Sequence, residues 1–210
     1  MAMDESYRYA KICADYLSEE CTRNAAYLDT THYTRFHSSG IPNITLQDYF
    51  RRIAKYSHCS GECFVIALRY IQRYCDAAQS ALTLRNAHRL IVVATMIAAK
   101  LRDDVFYDNK YYSNIGGING REMNELELDM LVTMGWNTWV EKPEFDALFE
   151  SARRVSHERE EAAGGQQHQP QQQAGAVANN GSAGSQQYYN QQQQQFQQTT
   201  QRPSQQEYYQ

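Results

Sequence analysis

The chain has 210 residues, a net charge of −4 and 42% apolar residues, enough for one sizeable core or two small ones. Acidic and basic residues intermingle through residues 1–163 without any Lys/Arg block, which argues against nucleic acid as a primary partner. The longest apolar run, Leu90 to Leu101, falls far short of the about 20 residues of a membrane span, so no membrane partner is expected.

The start, Met1-Ala-Met-Asp-Glu-Ser6, is acidic and polar, which predicts no secretory leader. Tyr9, Ile12, Cys13, Tyr16 and Leu17 then follow helical spacing and predict an amphipathic helix over about Ser6 to Ser18. Residues 22–44 form a turn-rich connector containing His37-Ser38-Ser39-Gly40-Ile41-Pro42-Asn43. Thr45 can cap the next helix, about 45–58, with Asp48 near its third position and Leu46, Phe50 and Ile53 inward.

Ser60-Gly61-Glu62 opens a further helix, with Phe64, Ala67, Leu68, Ile71, Tyr74 and Cys75 on one face and Arg69 and Arg73 on the other. A central helix spans about 85–102, and Thr83 is placed to cap it. A short polar and aromatic segment, Val105 to Asn114, ends at Gly116-Gly117. Asn119 with Glu122 starts another helix, whose buried stripe is Met123, Leu126, Met130, Leu131 and Met134 and whose exit Trp136 and Trp139 should pin. A final helix from Pro143 to about Glu161 turns strongly charged and reads as an exposed closing element. No stretch alternates like a strand, so the expected class is all-α.

Composition changes at Gly164. From there to Gln210 the chain has 19 glutamines and two charged residues, Arg202 and Glu207. Such a segment cannot bury enough apolar surface to offset the entropy of ordering it, and is read as a disordered tail. The five cysteines, Cys13, Cys21, Cys59, Cys63 and Cys75, are odd in number without CxxC pairs. Reduced thiols in an intracellular protein, in cytoplasm or nucleus, fit better than a disulfide framework.

Lys100 is the first candidate functional residue. Leu90 to Leu101 is apolar except at Thr95 and Lys100, and a helix greasy on every side belongs at the centre of a bundle. A lysine near its end must therefore leave through a gap between helices or meet a partner there. A snorkelling lysine at a helix C-terminus is the plainer alternative.

Other chemistry is weaker. Asp103, Asp104 and Asp108 follow a helix closely and read as solvated or paired acids, not a metal or acid/base centre. His58, Cys59 and Cys63 form an incomplete ligand set at a helix junction. An enzyme built on Asp103, Asp104 and His88 finds no support in any nucleophile elbow, P-loop or kinase signature. Neither a cofactor nor a metal is expected.

Several stretches carry a resemblance: Asp48-Tyr49-Phe50-Arg51-Arg52-Ile53-Ala54-Lys55-Tyr56, Asn86-Ala87-His88-Arg89-Leu90, and Ala98-Ala99-Lys100-Leu101-Arg102-Asp103-Asp104. The most specific runs from Tyr107 through Asn109, Tyr112 and Gly116-Gly117-Ile118 into Glu122-Met-Asn124-Glu-Leu126-Glu127. Together they resemble the cyclin box of single-box P/U-type cyclins, the group of the phosphate-system cyclin and cyclin Y. The glutamine-rich tail adds a similarity to trypanosomatid members linked to cell-cycle progression. The organisation implied is an N-terminal helix and connector over 1–39, a five-helix box over 40–150, a charged helical extension over 151–163 and the tail over 164–210.

The resemblance implies a regulatory subunit, not an enzyme, which binds and activates a cyclin-dependent protein kinase by positioning the kinase's C helix. Cell-cycle control is the expected setting. The alternative is a cyclin-fold scaffold or adaptor in transcription or in phosphate/nutrient signalling. Lys100 and Glu127 match the family's kinase-binding lysine and glutamate, with Asp103, Asp104, Tyr107, Asn109, Gly116, Gly117 and Asn124 as supporting motif residues. Tyr49, Phe50, Arg51 and Arg52 lie where many cyclins dock substrates, yet the usual form of that patch is absent. No homo-oligomer is expected.

Overall fold

The structure, a computed structural model, describes residues 2–165. Their regular elements are α1 (Ala2–Arg23), a 3-10 turn (Ala25–Tyr27), α2 (Leu46–Ser57), α3 (Glu62–Ala78), α4 (Ala87–Arg102), α5 (Asn109–Gly116), α6 (Gly120–Thr133) and α7 (Lys142–Gly165). The described part is all-helical, and α2 to α6 are the five helices expected of the box. Beyond Gly165, the segment read as a disordered tail lies outside the described residues.

Helix α4 is the axle. From Ala87 to Ala99 its side chains are buried except at Arg89, and it packs against α2, α3, α5 and α6. Each buried Leu, Ile, Val or Met contributes about 1.5–3 kcal/mol relative to an exposed one. That total fixes α4 so firmly that its last turn becomes a rigid platform.

Local signals set the surrounding helices. Thr45 has an extended backbone, and its Oγ1 accepts from the Asp48 amide at 3.1 Å, so α2 starts where its cap dictates. Asp108 accepts from the Tyr111 amide at 2.8 Å and starts α5 within the short polar and aromatic segment. Gly117, at φ +67°, ends it in a left-handed turn that most side chains resist. Asn119 then caps α6.

Four expectations need correction. Thr83 does not cap α4: its hydroxyl is buried without a hydrogen-bond partner. Asn86 organises the turn instead, accepting from the Thr83 amide at 2.8 Å and donating to the Ala81 carbonyl at 2.9 Å. An amide side chain carries both donors and an acceptor, so one residue closes both sides of the loop.

Trp136 and Trp139 do not pin the exit of α6; they are 62% and 64% exposed. Gly135 and Trp136 are both left-handed, at φ 61° and 58°, which turns the chain sharply after the helix. The exit is held through its carbonyls, by Tyr70 Oη on Thr138 at 2.8 Å and by Arg73 on Asn137 and Trp139, each at 2.8 Å.

Helix α7 is also more than an exposed closing element. Phe149 stacks on Tyr9 with ring centroids 4.7 Å apart, Ala152 is fully buried, and Ser156 donates to Asp15 at 2.7 Å. Arg69 and Arg73, the polar face of α3, both bind Glu144 at the start of α7. Helix α1 is longer than expected for the same reason: it lies between α2, α3 and α7 and buries Cys13, Ala14, Leu17 and Cys21. All five cysteines are unbridged, and Cys75 alone is less than buried.

Candidate functional site

The end of α4, the start of α5 and the middle of α6 meet at one rim. Lys100 Nζ lies 2.6 Å from Glu127 Oε1, with the side chains 24% and 19% exposed. Asn109, the first residue of α5, completes the group: its Oδ1 accepts from Lys100, and its Nδ2 donates to Glu127 Oε2 at 2.7 Å and to Asn124 Oδ1 at 2.7 Å. Four residues read from sequence as site or motif positions are therefore one polar cluster.

The scaffold explains why they meet. Asp103 ends α4 in an extended conformation and accepts from Ser60 through its amide at 3.0 Å and its hydroxyl at 2.6 Å. This ties the end of α4 to the entry of α3. Gly116 lets α5 close on α4, because an added Cβ would stand 3.1 Å from both methyls of Val92. Tyr49 Oη donates to the Gly116 carbonyl at 3.1 Å and anchors the same point from α2.

The remaining sequence candidates separate from the cluster. Tyr107 stacks on Tyr111 at 3.9 Å, Asp104 is exposed, and Asp103 and Asp108 each serve a helix end. Among the described residues no group of three or more His, Cys, Asp or Glu side chains is placed to hold a metal ion. His58 ends α2 in a left-handed turn while Cys59 and Cys63 are buried. His88 lies beside Tyr49 and bonds the Ile44 carbonyl through Nε2 at 2.9 Å. Burial lowers its pKa, so it is a neutral structural imidazole at pH 7. Tyr49 and Phe50 are core residues, Arg51 pairs with Asp48, and Arg52 donates to the Asn114 carbonyl.

Sequence reasoning missed the apolar frame. Leu101, Val105 and Phe106 follow Lys100 on the α4 end and its connector, Leu128 and Val132 follow Glu127 on α6, and all five are exposed. Large exposed apolar side chains of this kind are uncommon on a surface with no binding role. The available signal was an i, i+4 apolar pair, Leu128 and Val132, facing away from the Met123, Leu126, Met130 stripe.

Chemically, the cluster offers direction without reactivity. An ammonium has three donors, and Lys100 spends two on Asn109 and Glu127. One donor and further carboxylate lone pairs remain unused within the cluster. No helix among the described residues is long and apolar enough to cross a membrane.

The sequence pattern of the family described as Cyclin matches residues 8–138 and so includes α1. The chain is 41% identical over 133 residues to Cyclin-U4-1 of Arabidopsis thaliana, covering 63% of this chain and 65% of that protein. It is 37% identical over 138 residues to Cyclin-P3-1 of Oryza sativa subsp. japonica, covering 64% and 58%. Cyclin-U3-1 of Arabidopsis thaliana is 40% identical over 112 residues, 53% of this chain and 51% of that protein. The match thus spans less than two thirds of these relatives' own length, and they are of the P/U type.

Proposed function

The chain belongs to the cyclin family, whose members are regulatory subunits and not enzymes, and from that premise we propose that it binds and activates a cyclin-dependent protein kinase. Lys100 and Glu127 are the residues that take hold of the kinase's C helix, with Asn109 and Asn124 fixing their geometry. The box over 40–150 carries this activity in an intracellular setting, cytoplasm or nucleus, as part of cell-cycle control.

The observation that supports this reading is the half-buried Lys100, Glu127 and Asn109 cluster, with the exposed apolar Leu101 and Leu128 next to Lys100 and Glu127 in the chain. A helix end presents amides or carbonyls without internal partners, and charged side chains form strong hydrogen bonds to them. The C helix of a protein kinase carries a glutamate that must pair with a strand lysine before ATP is held correctly. A subunit that binds the active placement more tightly than the inactive one shifts the kinase population toward activity. The subunit itself performs no chemistry.

The test is capture of the full chain from its native extract, with protein kinase activity measured on the captured material. Wild type is expected to bring kinase activity; Lys100→Glu and Glu127→Lys are expected to bring none while retaining helical circular dichroism. Retained capture by both variants would overturn the assignment of the site. Arrest or delay of division on depletion, read as DNA content, supports the cell-cycle setting; unchanged division removes it.

A further inference from the structure

The junction between α2 and α3 holds two thiols, Cys59 and Cys63, that hydrogen-bond one another. Polar groups surround both. Ser57 Oγ donates to Cys59 Sγ at 3.2 Å, Ser60 Oγ lies 3.3 Å from Cys63 Sγ, and Cys63 Sγ donates to Asp103 Oδ2 at 3.5 Å. A thiol that only fills a core sits among apolar side chains, whereas this pair sits between hydroxyls and a carboxylate. It also lies just under the surface: Cys59 is 5% exposed, and its chain neighbours His58 and Ser60 are open to solvent.

We propose that Cys59 and Cys63 are a site of oxidation by hydroperoxides, and that the disulfide they form loosens the hold of Asp103 on the end of α4. The two sulfurs are unequal in the way such a reaction needs. Hydrogen bonding from Cys63, with a further bond from Ser57, holds the Cys59 thiol below its ordinary value against the opposing effect of burial. Hydrogen bonding to Cys59, together with burial, pushes Cys63 up. In Cys13, Cys21 and Cys75 burial prevails and raises the thiol. The thiolate is the form that attacks an oxidant, so Cys59 reacts first and Cys63 resolves the product.

With hydrogen peroxide, the Cys59 thiolate attacks one oxygen, the O–O bond breaks, and hydroxide leaves a sulfenic acid behind. The hydroxide takes up the proton Cys59 had released and becomes water. Cys63 sulfur then attacks Cys59 sulfur: the S–S bond forms, the S–O bond breaks, and the Cys63 proton passes through the Asp103 carboxylate to the departing hydroxyl, which leaves as a second water. Two thiols are oxidised to one disulfide while one peroxide is reduced.

The bridge acts at a distance through Asp103. That carboxylate accepts from the Ser60 amide at 3.0 Å and the Ser60 hydroxyl at 2.6 Å, and Ser60 stands between the two cysteines in the chain. A disulfide draws its sulfurs to about 2 Å, which withdraws Cys63 from Asp103 and shifts Ser60 with it. Asp103 follows Lys100 by three residues, so the last turn of α4 loses its tie to α3. That Lys100 then grips a kinase less well rests on the kinase partnership proposed above; the oxidation itself needs no kinase.

The experiment treats the reduced full chain with hydrogen peroxide, removes the peroxide by desalting, alkylates free thiols and digests with trypsin. Between Lys55 and Arg69 there is no other Lys or Arg, so both cysteines fall in one peptide, expected to be unalkylated and lighter by two hydrogens. In Cys63→Ser the reaction should stop at a sulfenic acid on Cys59 that dimedone traps, and helical circular dichroism should be unchanged. Amide hydrogen exchange over residues 99–104 should be faster in the oxidised wild-type chain, and dithiothreitol should reverse it. Alkylation of both thiols after peroxide, or a bridge from either cysteine to any other, would overturn the site. A bridge formed with unchanged exchange over 99–104 would overturn its action on α4. Kinase capture by the oxidised chain should fall about tenfold, a coupling of ordinary size; if even the reduced chain captures no kinase, the partnership fails while the bridge and the exchange result stand.

Discussion

Two half-buried ion clusters of similar make-up sit in different surroundings in this molecule. At the junction of α3 and α7, Arg69 and Arg73 bind Glu144, and Arg73 also caps the carbonyls of Asn137 and Trp139. Its bonds all return to the same chain. At the rim of α4 and α6, Lys100 and Glu127 are just as shielded, yet their chain neighbours Leu101 and Leu128 are exposed apolar side chains. Burial of a charge pair therefore does not separate the two; the difference is that exposed apolar side chains follow Lys100 and Glu127 in the chain, where the proposed kinase would pack.

The sharpest way to break the comparison is to remove one charge from each cluster. Truncating one member of a desolvated pair in an interface costs about 2–5 kcal/mol of binding. Lys100→Ala should thus lower kinase affinity by roughly 30-fold or more in a pull-down or calorimetric titration, with little change in melting temperature. Arg73→Ala should do the reverse, costing about 1 kcal/mol in urea denaturation because it removes the hydrogen bonds to Glu144 and to the Asn137 and Trp139 carbonyls, with kinase capture retained. Identical behaviour of the two variants would erase the distinction.

Next in size is the apolar frame. Leu128→Ser/Val132→Ser should leave stability within about 0.5 kcal/mol, since both side chains are exposed, and weaken kinase binding by roughly tenfold. A smaller effect comes from His88 behind Tyr49. Its folded pKa is lowered, mainly by burial, so the unfolded chain binds the proton more readily and stability falls as pH drops through the unfolded value of about 6.5. Glu144 moves the opposite pairing: burial would raise its pKa, but hydrogen bonds from Arg69 and Arg73 outweigh burial and lower it. Its contribution is present above the ordinary carboxylate range and fades only as pH falls below it. Melting curves of His88→Gln and Glu144→Gln between about pH 2 and 8 should therefore diverge from wild type in different windows. The smallest expected effect is from truncation after Ala163, which should leave kinase activation unchanged.

The legible parts of the sequence were those where one short stretch contains its own reason. Thr45 with Asp48 gave the start of α2, the apolar run gave α4, and Lys100 was exposed as an anomaly within it. Asn109 and Asn124 were recognisable only as motif positions, because an amide pair has no periodicity and acquires meaning when three helices converge. Trp136 and Trp139 misled for a related reason: aromatic bulk suggests a core, but two left-handed residues in succession decide where the rings point. Arg69 and Arg73 could be placed on a helix face but not paired, since their partner, Glu144, stands some seventy positions away.

The unbridged cysteines make the fold its own recorder of motion. Burial pushes the Cys21 and Cys75 thiols up to about 12 and Cys13 higher still, so almost none is thiolate at neutral pH, the form that alkylating reagents attack. Labelling must then wait for a helix to lift. Rates at Cys13 and Cys21 would time the opening of α1, and the rate at Cys75 that of α3, giving site-by-site clocks without introducing a single probe.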